Sequence, residues 1–139
     1  MKSYFKTNKK SWNTRVETHF SSKFYDVSSF LVGNSSLNEI ELAGLPEVKE
    51  KSLLHLQCHF GLDSLSLARM GAKVSGVDIS DQAIAKALQL QQQTKLDATF
   101  ICQDVYTFGQ QSEQLYDIVY TSYGAICWLP DIQLWAKLI

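Results

Sequence analysis

No charge of one sign dominates this chain: 13 Lys and Arg face 14 Asp and Glu among 139 residues, a formal net charge of −1. Such a balance gives no global pull toward nucleic acid or an anionic membrane. No apolar run approaches the roughly 20 residues that a membrane-spanning helix needs. The first residues lack the apolar stretch of a secretory signal. Cysteine is scarce, and Cys58, Cys102 and Cys127 show no CxxC or His/Cys ligand spacing, which speaks against a metal site. Each lies in or beside an apolar run, so reduced, buried thiols in a cytoplasmic protein are expected. No internal repeat is present. What the chain does have is 45% apolar residues and the length of one domain.

The first fifty residues are mixed and aromatic-rich. Two short helices are expected there, about Trp12–Phe20 and Leu37–Leu42, before a boundary at Pro46 and the charged stretch Glu47–Lys51. Residues 1–50 thus form a helical extension or lid, and residues 51–139 form the main domain. Lys2, Lys6, Lys9, Lys10 and Arg15 give the extension a local basic bias that fits a solvated leader.

A regular alternation follows. Strands are expected at Ser52–Gln57, Ala72–Val77, Ala98–Cys102 and Tyr116–Thr121. Helices are expected at Asp63–Met70, stopped by Gly71, and from Asp81 to about Gln93, capped by Ser80. A last helix runs to the end, with Pro130 at its first position. Strands separated by helices imply parallel βαβ units and an α/β fold. A sheet ending at its fourth strand leaves an edge with little cover, so the chain is expected to be a fragment or to pair with something else.

In such sheets, ligands bind beyond the carboxyl ends of the strands. The first strand leads into Gln57-Cys58-His59-Phe60-Gly61, and the second ends at Asp78, 17 residues beyond Gly61. An acid there can accept from both hydroxyls of a ribose. The third ends in Gln103-Asp104, where a carboxylate can accept from an adenine amine. The fourth ends in Thr121-Ser122-Tyr123-Gly124, where a substrate can approach. Each feature has a plain alternative: a turn for Gly61, a helix cap for Asp78, a solvated loop acid for Asp104. Their order along the chain is what points to a nucleoside site.

Leu53 to Ser80, LLHLQCHFGLDSLSLARMGAKVSGVDIS, resembles motif I and the following acidic strand of class I S-adenosylmethionine-dependent methyltransferases. It is especially similar to a bacterial subgroup with HLQCHFG in motif I. The likeness extends through FICQD (100–104) and YDIVYTSYGAICWL (116–129), and WNTRVETHF with SSKFYD looks like that subgroup's N-terminal extension. The resemblance implies a Rossmann-like, doubly wound, three-layer αβα fold, of which about four of seven strands are present. It implies S-adenosyl-L-methionine as cofactor, bound by Gln57, Cys58, His59, Gly61, Asp78, Ile79, Asp104, Val105 and Ser122. Gly61 and its loop would approach the methionine part. Asp78 would hold the ribose, with Ile79 against the adenine; Asp104 would bind the adenine amine, with Val105 beside it.

Two departures stand out. His55 occupies a position where an acid is common, and Gln57 and His59 stand where two glycines are common, which questions the loop's path. His59 can line the pocket or hold the loop, and His55 suits a structural role. Asp63 can complement its helix N-terminus or meet the cofactor's ammonium group. Near the methyl group, Tyr123 and His19 are the candidate catalytic residues, with His19 as base, part of a lid or a plain surface histidine; Trp128 can wall the pocket or fill the core. A small molecule is the default acceptor, and nucleic acid is disfavoured by the absence of a basic stripe. The alternatives are a non-catalytic or truncated cofactor-binding module, and a nicotinamide-dependent oxidoreductase. The latter expects G-x-G-x-x-G, whereas Gly61 is the only glycine in the loop.

Overall fold

The computed structural model describes all residues, 1–139. Four strands form one sheet in the order β3-β2-β1-β4: β1 (Ser52–Leu56), β2 (Lys73–Asp78), β3 (Ala98–Cys102) and β4 (Ile118–Thr121). Every pairing is parallel. The register sets Leu53 beside Val74 and Ile118, so the four carboxyl ends emerge along one edge of the layer. The expected α/β fold is observed. The order of the strands reverses between β1 and β4, which makes a crevice at that switch point the natural ligand site.

The helices α1 (Lys2–Phe20), α2 (Val27–Leu31), α3 (Glu39–Gly44), α4 (Leu62–Arg69), α5 (Asp81–Thr94), α6 (Val105–Gln111) and α7 (Ile132–Leu138) surround the sheet. Two apolar clusters flank it. The larger joins Leu53, Phe60, Leu65, Val74 and Leu90 to Val16, Val27, Phe30, Leu37 and Val48 of the first fifty residues. The smaller joins Leu54, Leu56 and Val77 to Val105, Tyr106 and Phe108.

The extension differs most from expectation. The predicted helix at Trp12–Phe20 starts ten residues earlier, at Lys2. No proline or glycine precedes Gly33, so nothing interrupts it. Phe5, Asn8, Trp12 and Val16 recur at helical spacing, and the first three face the cavity described below. The helix expected at Leu37–Leu42 lies at Glu39–Gly44, shifted by the Asn38–Glu41 capping box. Two helices were not expected: α2, capped by Asp26, and α6, capped by Asp104.

In the main domain, Ser80 caps α5 as expected, accepting from the Ala83 N–H at 3.1 Å. Pro130 is not the first residue of α7. Asp131 intervenes as N-cap, its side chain accepting from the Leu134 N–H at 2.8 Å, and a 3₁₀ turn at Ile126–Trp128 precedes it. Strand β4 pairs only with β1, and Val119 on it is 40% exposed. The cysteines do not share one state. Cys58 is buried, Cys102 and Cys127 are exposed, and none is in a disulfide.

Candidate functional site

Left-handed backbone shapes the loop after β1. Gln57, His59 and Gly61 have φ of 56°, 52° and 76°. The chain therefore adopts positive φ at the two positions where glycine was expected, at a steric cost that glycine would not carry. Asp78 compensates: its Oδ2 accepts from the His59 N–H at 2.8 Å and its Oδ1 from the Ser80 N–H at 2.8 Å. The Gln57 side-chain amide donates to the Ala125 carbonyl at 2.9 Å, tying this loop to the one after β4.

A cavity of about 280 Å³ opens beyond the strand ends. Its wall takes Gln57 and His59 after β1, Asp78 and Ile79 after β2, Asp104 and Val105 after β3, and Ser122 and Tyr123 after β4. Eight of the expected site residues are thus brought together. Phe5, Asn8 and Trp12 of α1 form the opposite wall. Phe5 stacks on Tyr106 with ring centroids 5.6 Å apart, and Asn8 donates to the Trp128 carbonyl at 2.9 Å. Trp128 lines the cavity, edge-on to Trp12 at 5.2 Å. Lys9 anchors α1 to α5 through Asp81 at 2.8 Å.

Three expected residues lie elsewhere. Gly61 does not face this cavity. It is the N-cap of α4, packed so that a Cβ would sit 2.7 Å from the Phe100 ring. Cys58 points away as well, its sulfur beneath Gly76. Both line a smaller cavity of about 110 Å³ with His55 and Asp63. His19 is half-buried and is not on the main cavity wall. It stands behind His59, Nδ1 to Nε2 at 3.1 Å, stacked on Tyr25. Desolvation first, then the Arg15 charge, lowers its pKa.

The electrostatics follow from burial. Desolvation holds His55 and His59 down to about 3, His59 with a further push from His19. Both rings are neutral near pH 7. Burial raises Asp78, and the N–H groups of Ser80 and His59 pull the other way. Burial raises Asp63 to about 6; the Ser36 hydroxyl, donating at 2.6 Å, opposes this and Glu41 adds to it. Two buried polar atoms in the main wall have no partner, Gln57 Oε1 and His59 Nδ1. Asp104 is more than a loop acid: its oxygens accept from the Thr107 N–H at 2.9 Å and the Thr107 hydroxyl at 2.6 Å. Each carboxylate oxygen of Asp78 and Asp104 retains a second lone pair for a ligand.

The arrangement defines a parallel αβα sheet with a ligand cavity at its switch point and a carboxylate at two adjoining tips. A family model described as a methyltransferase domain matches residues 53–138, and the chain belongs to that family. It is 33% identical over 90 residues to the ubiquinone biosynthesis O-methyltransferase of Coxiella burnetii. That match covers 65% of this chain and 38% of the relative, so the chain spans less than two fifths of the relative's length. Among solved structures, magnesium protoporphyrin IX methyltransferase of Synechocystis with bound SAM superimposes with TM-score 0.57 at 24% identity, covering 91% of this chain and 71% of that one. An S-adenosylmethionine-dependent methyltransferase from Mesorhizobium loti gives TM-score 0.58 at 24% identity, over 78% and 46%. These two likenesses show the fold.

Proposed function

We propose that this chain forms the S-adenosylmethionine-binding part of a methyltransferase acting on a small-molecule acceptor in the cytoplasm. One observation carries it: Asp78 and Asp104 flank a single cavity at adjoining strand tips, with Ile79 and Val105 next to them. Asp78 would accept from the ribose hydroxyls and Asp104 from the adenine amine, the adenine lying between Ile79 and Val105. Gln57 Oε1 and His59 Nδ1, buried without partners, are the kind of groups a polar ligand satisfies. The residues present fit the cofactor, and the family of the 53–138 segment supports it. No helix is long and apolar enough to cross a membrane. The Coxiella relative, named for ubiquinone biosynthesis, supports a small acceptor.

When bound, the cofactor supplies a methyl group already activated on a sulfonium. The protein's task is then alignment and exclusion of water, which can contribute roughly 7–11 kcal/mol in favourable cases. Tyr123, 67% exposed at the rim beside Ser122, would position the acceptor. Trp128 and Trp12 would keep water out, with α1 as a lid that Asn8 and Phe5 hold down. His19, behind His59, would brace the loop rather than touch the reacting atoms.

Calorimetric titration of S-adenosylmethionine against wild type, Asp78→Ala and Asp78→Asn tests the assignment. A hydrogen bond to a charged group contributes about 1.5–3 kcal/mol, so both variants should bind at least about tenfold more weakly. Wild-type affinity in Asp78→Asn would remove the ribose assignment.

A further inference from the structure

Resting on the cofactor reading above and extending it to the acceptor, we propose that the methyl acceptor is a planar aromatic acid whose carboxylate pairs with Arg15 at the Trp12–Trp128 corner of the main cavity. Six aromatic side chains line that cavity: Phe5, Trp12, Tyr25, Tyr106, Tyr123 and Trp128. Such walls take a flat, apolar body and hold it by contact between rings.

Arg15, exposed on α1, supplies the charge. Its guanidinium lies over two of these rings, 5.9 Å from the centroid of Trp12 and 5.4 Å from that of Trp128. No lysine or arginine lines the cavity itself, and the other cations set over rings, Arg69 and Lys86, sit on Phe30 and Phe20. Arg15 has no carboxylate partner, since the salt bridges of the chain use Lys9, Lys73 and Lys86. Both of its side-chain hydrogen bonds leave from Nη1, to the carbonyl and the hydroxyl of Ser11. Nε and Nη2 remain as a planar fork of the shape that takes a carboxylate by two parallel bonds.

The field agrees with this geometry. The Arg15 charge reaches inward far enough to lower His19, second to desolvation. Lys2, Lys6 and Lys10, all exposed and outside the salt bridges, add positive charge to the same helix, and its one acid, Glu17, is taken by Lys86. An anion is drawn toward this wall. The two carboxylates that face the cavity, Asp78 and Asp104, lie at the strand tips, where the adenosine is assigned.

Nitrogen-15 NMR reads the site directly, because Trp12 and Trp128 line the cavity and Trp135 does not. The chain saturated with S-adenosylhomocysteine is titrated with benzoate, with benzamide, its neutral isostere, and with acetate, which lacks the ring. Benzoate should shift the indole N–H signals of Trp12 and Trp128 and bind about fivefold more tightly than either, the gain of one solvent-accessible ion pair. Arg15→Gln should bring benzoate down to the benzamide value, with an unmoved Trp135 signal showing that the fold is kept. Salt at about 0.5 M should erase the same advantage in wild type. The proposal is overturned if benzoate has no advantage over benzamide in wild type, if the advantage survives in Arg15→Gln or in high salt, if acetate matches benzoate, or if Trp12 and Trp128 do not respond. No benzoate advantage, together with weaker S-adenosylhomocysteine binding by Arg15→Gln, would overturn it by giving Arg15 to the cofactor's own carboxylate. Failure of S-adenosylhomocysteine to bind wild type overturns the cofactor reading itself, and this proposal with it.

Discussion

Acid should destabilise this fold well before its carboxylates are fully protonated, because buried His55 and partly buried His59 resist protonation while the chain is folded. His55 and His59 titrate near 3 when folded, against 6.5 in an unconstrained chain. Below pH 6.5 the unfolded state binds two protons that the folded state does not, so stability falls with pH until about 3. Each ring then removes about 1.4 kcal/mol per pH unit, or roughly 5 kcal/mol for the pair by pH 4.5. Asp63 acts in the opposite direction. Its folded value near 6 lies above the ordinary 3.8, so the folded state gains a proton first as pH falls through 6. That returns about 2 kcal/mol by pH 4.5 and leaves a net loss of about 3 kcal/mol relative to pH 7. Against a total stability of roughly 5–15 kcal/mol, the loss is large. Urea unfolding followed by circular dichroism at pH 7, 5.5 and 4.5 measures it. His59→Asn is the control, since asparagine tolerates the left-handed backbone and does not titrate. Its loss between pH 7 and 4.5 should be close to nil. If the variant loses as much as wild type, His59 does not stay neutral in the folded chain and the charge assignment of the loop is wrong.

Other consequences are open to measurement. Gly61→Ala would place a Cβ at φ +76° and 2.7 Å from the Phe100 ring; a loss of about 2–3 kcal/mol in urea unfolding is expected. Asp104→Ser should keep the cap on α6 and hold the loss of stability below about 0.5 kcal/mol, while binding of S-adenosylhomocysteine weakens about tenfold. Asp104→Ala should lose both, with about 1 kcal/mol from the cap in thermal unfolding. Trp12→Ala removes the indole between Trp128 and His59; dissociation of S-adenosylhomocysteine, followed by stopped-flow fluorescence, should quicken about tenfold or more with a smaller change in association.

The strands and α5 were legible because their signals are local. Val74 and Val77 make a short apolar run, and Ser80-Asp81 writes a helix start into the sequence. Asp78 and Asp104 could be placed at the cavity because a parallel strand delivers its last residue to the ligand edge. The length of α1 was hidden because its inward stripe passes through polar Asn8, which breaks the apolar period. The start of α6 did carry a signal, Asp104 followed three residues later by Thr107, and it was outweighed by the ligand role. The left-handed backbone at Gln57 and His59 was signalled only by the glycines common at those two positions, and glutamine itself gives no sign of positive φ. Nor does any pattern show that His19 meets His59 across 40 residues, or that Gly61 serves packing against Phe100.

The most direct measurement is a crystal structure of this chain with S-adenosylhomocysteine. The adenosine should lie between Ile79 and Val105, its ribose hydroxyls on Asp78 and its adenine amine on Asp104. A nucleoside bound anywhere else, or one that touches neither carboxylate, would contradict the account.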